Sequence, residues 1–149
     1  MNFPDHPSNN DTITFNYLSE DYPKVPASTA EMIHHIINEE ANDLNQLTFV
    51  FCDDSYLLKL NQKFLKHDTL TDILTFPMSS SDGIDGEIYI SIPRVKENAI
   101  TFSKSFKSEY LRVIAHGVLH LCGYKDKSEE EIKIMRAKEN QYIFFGLNQ

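Results

Sequence analysis

The stretch FKSEYLRVIAHGVLHLCGYKD, residues 106–126, carries two patterns at once. Tyr110, Val113, Ile114, Val118 and Leu121 recur at helical spacing, which predicts an amphipathic helix from about Phe106 to Leu121. His116 and His120 stand four residues apart on that helix, so their rings leave one face a single turn apart. Gly123 is placed to end the helix in a left-handed conformation, and the reversal brings Asp126 back toward the two rings. Two imidazoles and a carboxylate make three ligands for one divalent ion, with a fourth position open as in a catalytic zinc site. A lone H-x-x-x-H is more often a pair of ordinary histidines than a metal site. What favours a metal is the glycine and the third ligand at fixed offsets. Cys122 falls on the far side of the helix from His120 and reads as a small core residue rather than a ligand.

Outward from this helix, Ser128 and Glu131 make a capping box for a last helix with Ile132, Met135 and Tyr142 on its inner face. Upstream, Pro93 suits the first turn of a helix running through Phe102. GEIYISI, LTFVFC, TDILTF and ITFNYL read as four strands, the first following a turn at SSSDGIDG. Ser28 with Glu31 predicts a capped helix to about Asp43, apolar at Met32, Ile33, Ile36 and Ile37, and Asp53 or Asp54 caps another over SYLLKLNQKFL. Four strands and four to five helices in this order predict an α+β sandwich with a largely mixed or antiparallel sheet.

At 149 residues the chain reads as one metal-binding domain spanning 1–149, with residues 1–11 flexible. Its 41% hydrophobic and 24% charged composition is that of a globular protein. No run approaches the length of a membrane span and the polar N-terminus lacks a signal pattern, so the expected location is the cytoplasm, with no membrane partner. Two cysteines, Cys52 and Cys122, form no disulfide framework and fit free thiols. A net charge of −8 argues against a general nucleic-acid coat, and DNA is not expected as a partner, although a small basic cleft on an acidic body is compatible with it.

The spacing around the histidines resembles the metzincin protease pattern with the last histidine exchanged for aspartate, but Gly117 stands where such proteases carry a glutamate base. A closer resemblance is to the YbeY family of bacterial rRNA maturation factors, whose signature is H-G-x-L-H-L-x-G-Y-D-H. HGVLHLCGYKD matches it at His116, Gly117, Leu119, His120, Leu121, Gly123 and Tyr124. LNQKFLKHDTLTDILTFP, Leu60 to Pro77, is similar to the family's L-N-x-x-[YF]-R-x-x-x-x-x-T-D-V-L-S-F-P, and GEIYIS to its G-D-I-x-I-S.

The resemblance implies an α+β fold and a zinc-dependent, single-strand-specific endoribonuclease in rRNA 3′-end maturation and ribosome biogenesis. Its partners would be rRNA and small-subunit components. His116 and His120 carry over as ligands of one divalent metal per chain, zinc by the resemblance. The family's last histidine falls on Asp126 and its preceding aspartate on Lys125. Where the family has arginine this chain has Leu65, so Lys66 and His67 become the candidate cleft residues, although a lysine lacks the guanidinium fork.

Two rivals remain open at this level: a non-catalytic ribosome-assembly protein with a structural metal, and a zinc metalloprotease. Adjacent His34 and His35 cannot share an ion and read as surface or edge residues. Asp72 reads as a structural hydrogen-bonding residue, and Phe144 and Phe145 as packing on the core, with a partner surface as the alternative.

Overall fold

The computed structural model describes residues 12–65, 71–78 and 83–149. The expectations for residues 1–11 and for Lys66 and His67 lie outside the described residues. In chain order the elements are β1 (Ile13–Tyr17), α1 (Thr29–Glu39), β2 (Leu44–Cys52), α2 (Asp54–Leu60) continued by one π-helical turn (Asn61–Leu65), β3 (Ile73–Pro77), β4 (Ile84–Ser91), α3 (Ile92–Thr101), α4 (Phe106–Leu121) and α5 (Glu129–Leu147).

Alternation along β2 and β4 puts Leu47, Phe49, Phe51, Ile88 and Ile90 on one face of the sheet, all fully buried. The strand order is β1-β2-β4-β3. β1, β2 and β4 run parallel, with Phe49 opposite Ile88 and Phe51 opposite Ile90, while β3 lies antiparallel along β4 as an edge strand. The sheet is therefore mixed, as expected, but β3 alone is antiparallel. β4 also begins at Ile84, inside the stretch read as a turn, because Ile84 pairs with Leu44 and its amide donates to the Asp43 carbonyl at 2.7 Å.

The central helix is α4. It is buried on nearly every side, packing on α1, α3, α5 and the inner sheet face. The sheet side is fitted at Gly117, where an added Cβ would lie 2.8 Å from Ile73 Cδ1 and 3.0 Å from Ile88 Cγ2. Each side chain such as Ile114 or Phe51 contributes roughly 1.5–3 kcal/mol by burial, against about 1 kcal/mol for a helix cap. Packing, rather than capping, thus holds α4 in place. On the other sheet face, α2 covers a smaller cluster of Cys52, Leu57 and Leu74.

Several local readings need correction. Ser28 precedes α1, but its side chain makes no cap bond and its Oγ is buried without a partner; the backbone at φ −83°, ψ 0° aims it away from the helix amides. α1 stops at Glu39 because Ala41 turns left-handed (φ 58°), with Asn42 N bonding Ile37 O. Ile132 and Phe144 are exposed, at 46% and 71%, since α5 turns a narrower face inward through Met135, Glu139 and Tyr142. Phe145 does reach the core, stacked on His35 at 3.9 Å. No described helix is long and apolar enough to cross a membrane.

Candidate metal centre

α4 ends as its sequence predicts. The Gly123 amide bonds the His120 carbonyl and the Tyr124 amide bonds the Leu119 carbonyl, both at 3.0 Å, with Gly123 at φ +109°. This paired closure of the last turn requires a residue tolerant of positive φ. It sends the following loop back along α4 and sets Asp126 over the two histidines.

The three donor atoms converge. His116 Nε2 is 3.0 Å from His120 Nε2, and Asp126 Oδ2 is 3.2 Å from the first and 3.3 Å from the second. Each ring is oriented through its other nitrogen: His116 Nδ1 lies 2.6 Å from Glu139 Oε2, and His120 Nδ1 lies 2.9 Å from the Tyr124 carbonyl. Those partners are acceptors, so both Nδ1 atoms carry the proton and both Nε2 atoms present lone pairs. Three lone pairs facing one another call for a positive charge between them. An ion with tetrahedral bonds of about 2.0–2.1 Å holds its ligands about 3.3–3.4 Å apart, close to the observed triangle. The residues present therefore fit a small divalent cation, and among the described residues they are the one group of His, Cys, Asp and Glu close enough to share an ion.

Behind His116 lies a network that the sequence reading missed. Glu109 and Glu139 are 2% and 1% exposed. Arg112 joins them: its Nε and one terminal nitrogen bond the two Glu109 oxygens, and the other terminal nitrogen reaches Glu139 Oε1 at 3.2 Å. Arg136 approaches the same oxygen at 3.5 Å from the surface. Burial opposes ionisation of Glu139, but the hydrogen bond from His116 and the charges of Arg112 and Arg136 hold its carboxyl below the usual range. The available signal was the stripe Glu109, Arg112, His116, His120 at spacings of three and four, a polar line on a helix that is otherwise buried.

The turn that carries Asp126 is anchored independently. Glu40 accepts from the hydroxyls of Tyr124 at 2.7 Å and Tyr142 at 2.5 Å, and from Lys138 at 3.1 Å. Burial works against its charge, yet these donors bring the carboxyl below its ordinary value.

The triad opens on a cleft of about 540 Å³ between α4, the loop after it and edge strand β3. Asp72 lines it, accepting from Asn98 at 3.2 Å and lying 3.8 Å from Arg112, and burial raises its pKa. Of the two lysine and arginine side chains among the described lining residues, Arg112 is engaged as above and Lys127 is exposed. Cys122 lies apart from the triad, its thiol pushed up by burial to about 11. His34 and His35 are half-buried on α1. Gly117 faces the sheet, so a glutamate in the position used by metzincins would be driven into Ile73 and Ile88 instead of the cleft.

The chain is similar to known proteins over nearly all its length. A model of the protein family described as Endoribonuclease YbeY matches residues 11–145. The Endoribonuclease YbeY of Flavobacterium psychrophilum is 46% identical over 131 residues, covering 88% of this chain and 94% of its own. That of Flavobacterium johnsoniae is 45% identical over 132 residues, with 88% and 94% covered. Among solved structures, the solution structure of TM1509 from Thermotoga maritima matches with a TM-score of 0.64 at 32% identity, covering 88% of this chain and 86% of that one.

Proposed function

The chain belongs to the YbeY endoribonuclease family, and from that premise we propose that it is a zinc-dependent enzyme cutting single-stranded RNA. On this reading it acts in rRNA 3′-end maturation and ribosome biogenesis, with small-subunit components as partners, as a single metal-binding domain over residues 1–149. The two free thiols suit the reducing cytoplasm.

The observation that carries the proposal is the convergence of three ligand-type atoms, His116 Nε2, His120 Nε2 and Asp126 Oδ2, on one point at the cleft. These residues would hold the ion. When bound, it supplies an activated water near neutral pH and offsets charge on a phosphoryl oxygen. The chain's own part is positional. Arg112 is held by carboxylates, so Lys127 meets the phosphate at the cleft rim as a point charge. Gly117 puts no carboxylate at the position where metzincins carry their base, which supports nuclease over protease chemistry. The cleft in front of the triad supports a catalytic over a closed structural metal.

The test is elemental analysis of untagged protein, followed by parallel digestion of single-stranded RNA, duplex RNA and casein with and without a chelator. Expected are about one zinc per chain and chelator-sensitive cleavage of the single strand, lost in His120→Ala. Hydrolysis of casein, or RNA cleavage undiminished in His120→Ala, would overturn the proposal.

A further inference from the structure

We infer that Glu139 is a positioning residue for the metal centre: clamped by Arg112 against Glu109, its carboxylate fixes the tautomer and ring orientation of His116. The inference rests on the reading of His116 as a ligand and adds to it a residue from a different helix.

The argument starts from where each histidine sits on α4. His120 is in the last turn, where backbone carbonyls and loop groups are free to accept, and the Tyr124 carbonyl takes its Nδ1 proton at 2.9 Å. His116 lies in the interior of the helix, where the carbonyls are already engaged by amides four residues on. An acceptor for its Nδ1 has to come from another element. α5 supplies it through Glu139 Oε2 at 2.6 Å.

Division of labour within the carboxylate supports the role. Oε1 faces the guanidinium of Arg112 at 3.2 Å, while Oε2 is left to His116. Arg112 is itself fixed, two of its nitrogens bonding Glu109 one turn earlier on α4. Glu109 already takes Nε and one terminal nitrogen of Arg112, so the guanidinium presents its remaining terminal nitrogen to Glu139, which meets it with Oε1 alone. The second oxygen is thereby left to face the His116 ring. Burying two glutamates around one arginine is also a poor way to gain stability, because desolvation offsets most of the attraction. The arrangement makes sense as orientation of a ligand, the task that partners behind metal-bound histidines perform.

Three measurements test this. In metal-free protein, long-range ¹H–¹⁵N NMR should show His116 as the Nδ1-protonated tautomer, and Glu139→Gln should mix the tautomers. Zinc affinity, read by competition with a chromophoric chelator, should fall about 10- to 100-fold in Glu139→Gln, with a smaller fall in Arg112→Lys. The cobalt-substituted variants should show altered ligand-field bands. Unchanged zinc affinity and an unchanged His116 tautomer in a folded Glu139→Gln would overturn the inference and leave Glu139 as a helix-joining residue, whatever its melting temperature. If Arg112→Lys weakens RNA binding by the metal-free protein while zinc affinity stays constant, Arg112 is a phosphate ligand and its part in the clamp is wrong. Wild-type protein that binds no zinc would instead sink the metal-centre reading itself.

Discussion

His116 and His120 face each other with their Nε2 atoms 3.0 Å apart, while the Nδ1 of each ring is bonded to an acceptor elsewhere. The pair directs its Nε2 atoms at one point, and Asp126 closes the triangle from a loop rather than from the helix. An ion bound there joins α4 to the loop leading into α5.

Metal removal should therefore lower thermal stability. A ligand held only by the folded state adds about 2.7 kcal/mol at a hundred times its dissociation constant. We expect chelated protein to melt lower than the zinc form, and His120→Ala to melt alike in both. Superimposable wild-type melting curves after confirmed depletion would show that the site and the fold are uncoupled.

Asp126→His should fold and keep the metal, because the position is on a loop and its side chain is 37% exposed. Replacing a carboxylate by a neutral imidazole leaves the ion more of its positive charge, so RNA cleavage should set in at lower pH. Loss of metal in this variant, with wild type retaining it, would mean that position 126 is not equivalent to the family's third histidine.

Gly117→Glu should destabilise severely and create no protease. The new side chain starts 2.8 Å from Ile73 Cδ1 and places an unpaired carboxylate in the α4–sheet seam, a class of change costing about 3–5 kcal/mol. A stable variant with casein-cleaving activity would contradict the packing described for α4.

Glu40 gives a pH signature. Its folded pKa is lowered, burial being outweighed by Tyr142, Tyr124 and Lys138, so its contribution is present above the unfolded carboxylate value and is lost as pH falls through the lower folded one. Wild type should lose stability on acidification in this range, and Glu40→Gln should show a flatter acid limb in denaturant titrations. Parallel limbs would exclude Glu40 as a source of the acid sensitivity.

Burial pushes the Cys52 thiol up to about 12 and that of Cys122 to about 11. At pH 8 native protein should therefore react slowly with a thiol reagent, and both cysteines should react on unfolding. Rapid labelling of Cys52 in the native state would contradict its place under α2.

What was legible in the sequence was what local chemistry dictates. The bounds of α4, the Gly123 reversal, the Ser128–Glu131 capping box and the spacing of His116, His120 and Asp126 each depend on residues within a few positions of one another, and each appears in the structure. Ser28 shows the limit of that reasoning: the capping pattern is present, but the backbone at that residue is set by the packing of α1 and leaves its hydroxyl buried and unbonded. Ala41 ends α1 without the glycine that would have announced it. Ile132 and Phe144 lie outward because the face α5 buries is chosen by its neighbours. Glu139 was hidden for the same reason. It is 23 residues from His116 along the chain and 2.6 Å from it in space, and periodicity within one helix carries no information about which residue of another helix will lie against it. The His116–His120–Asp126 group is local enough to be spelled in sequence, whereas the carboxylate beside His116 is brought there only once α5 has docked on α4.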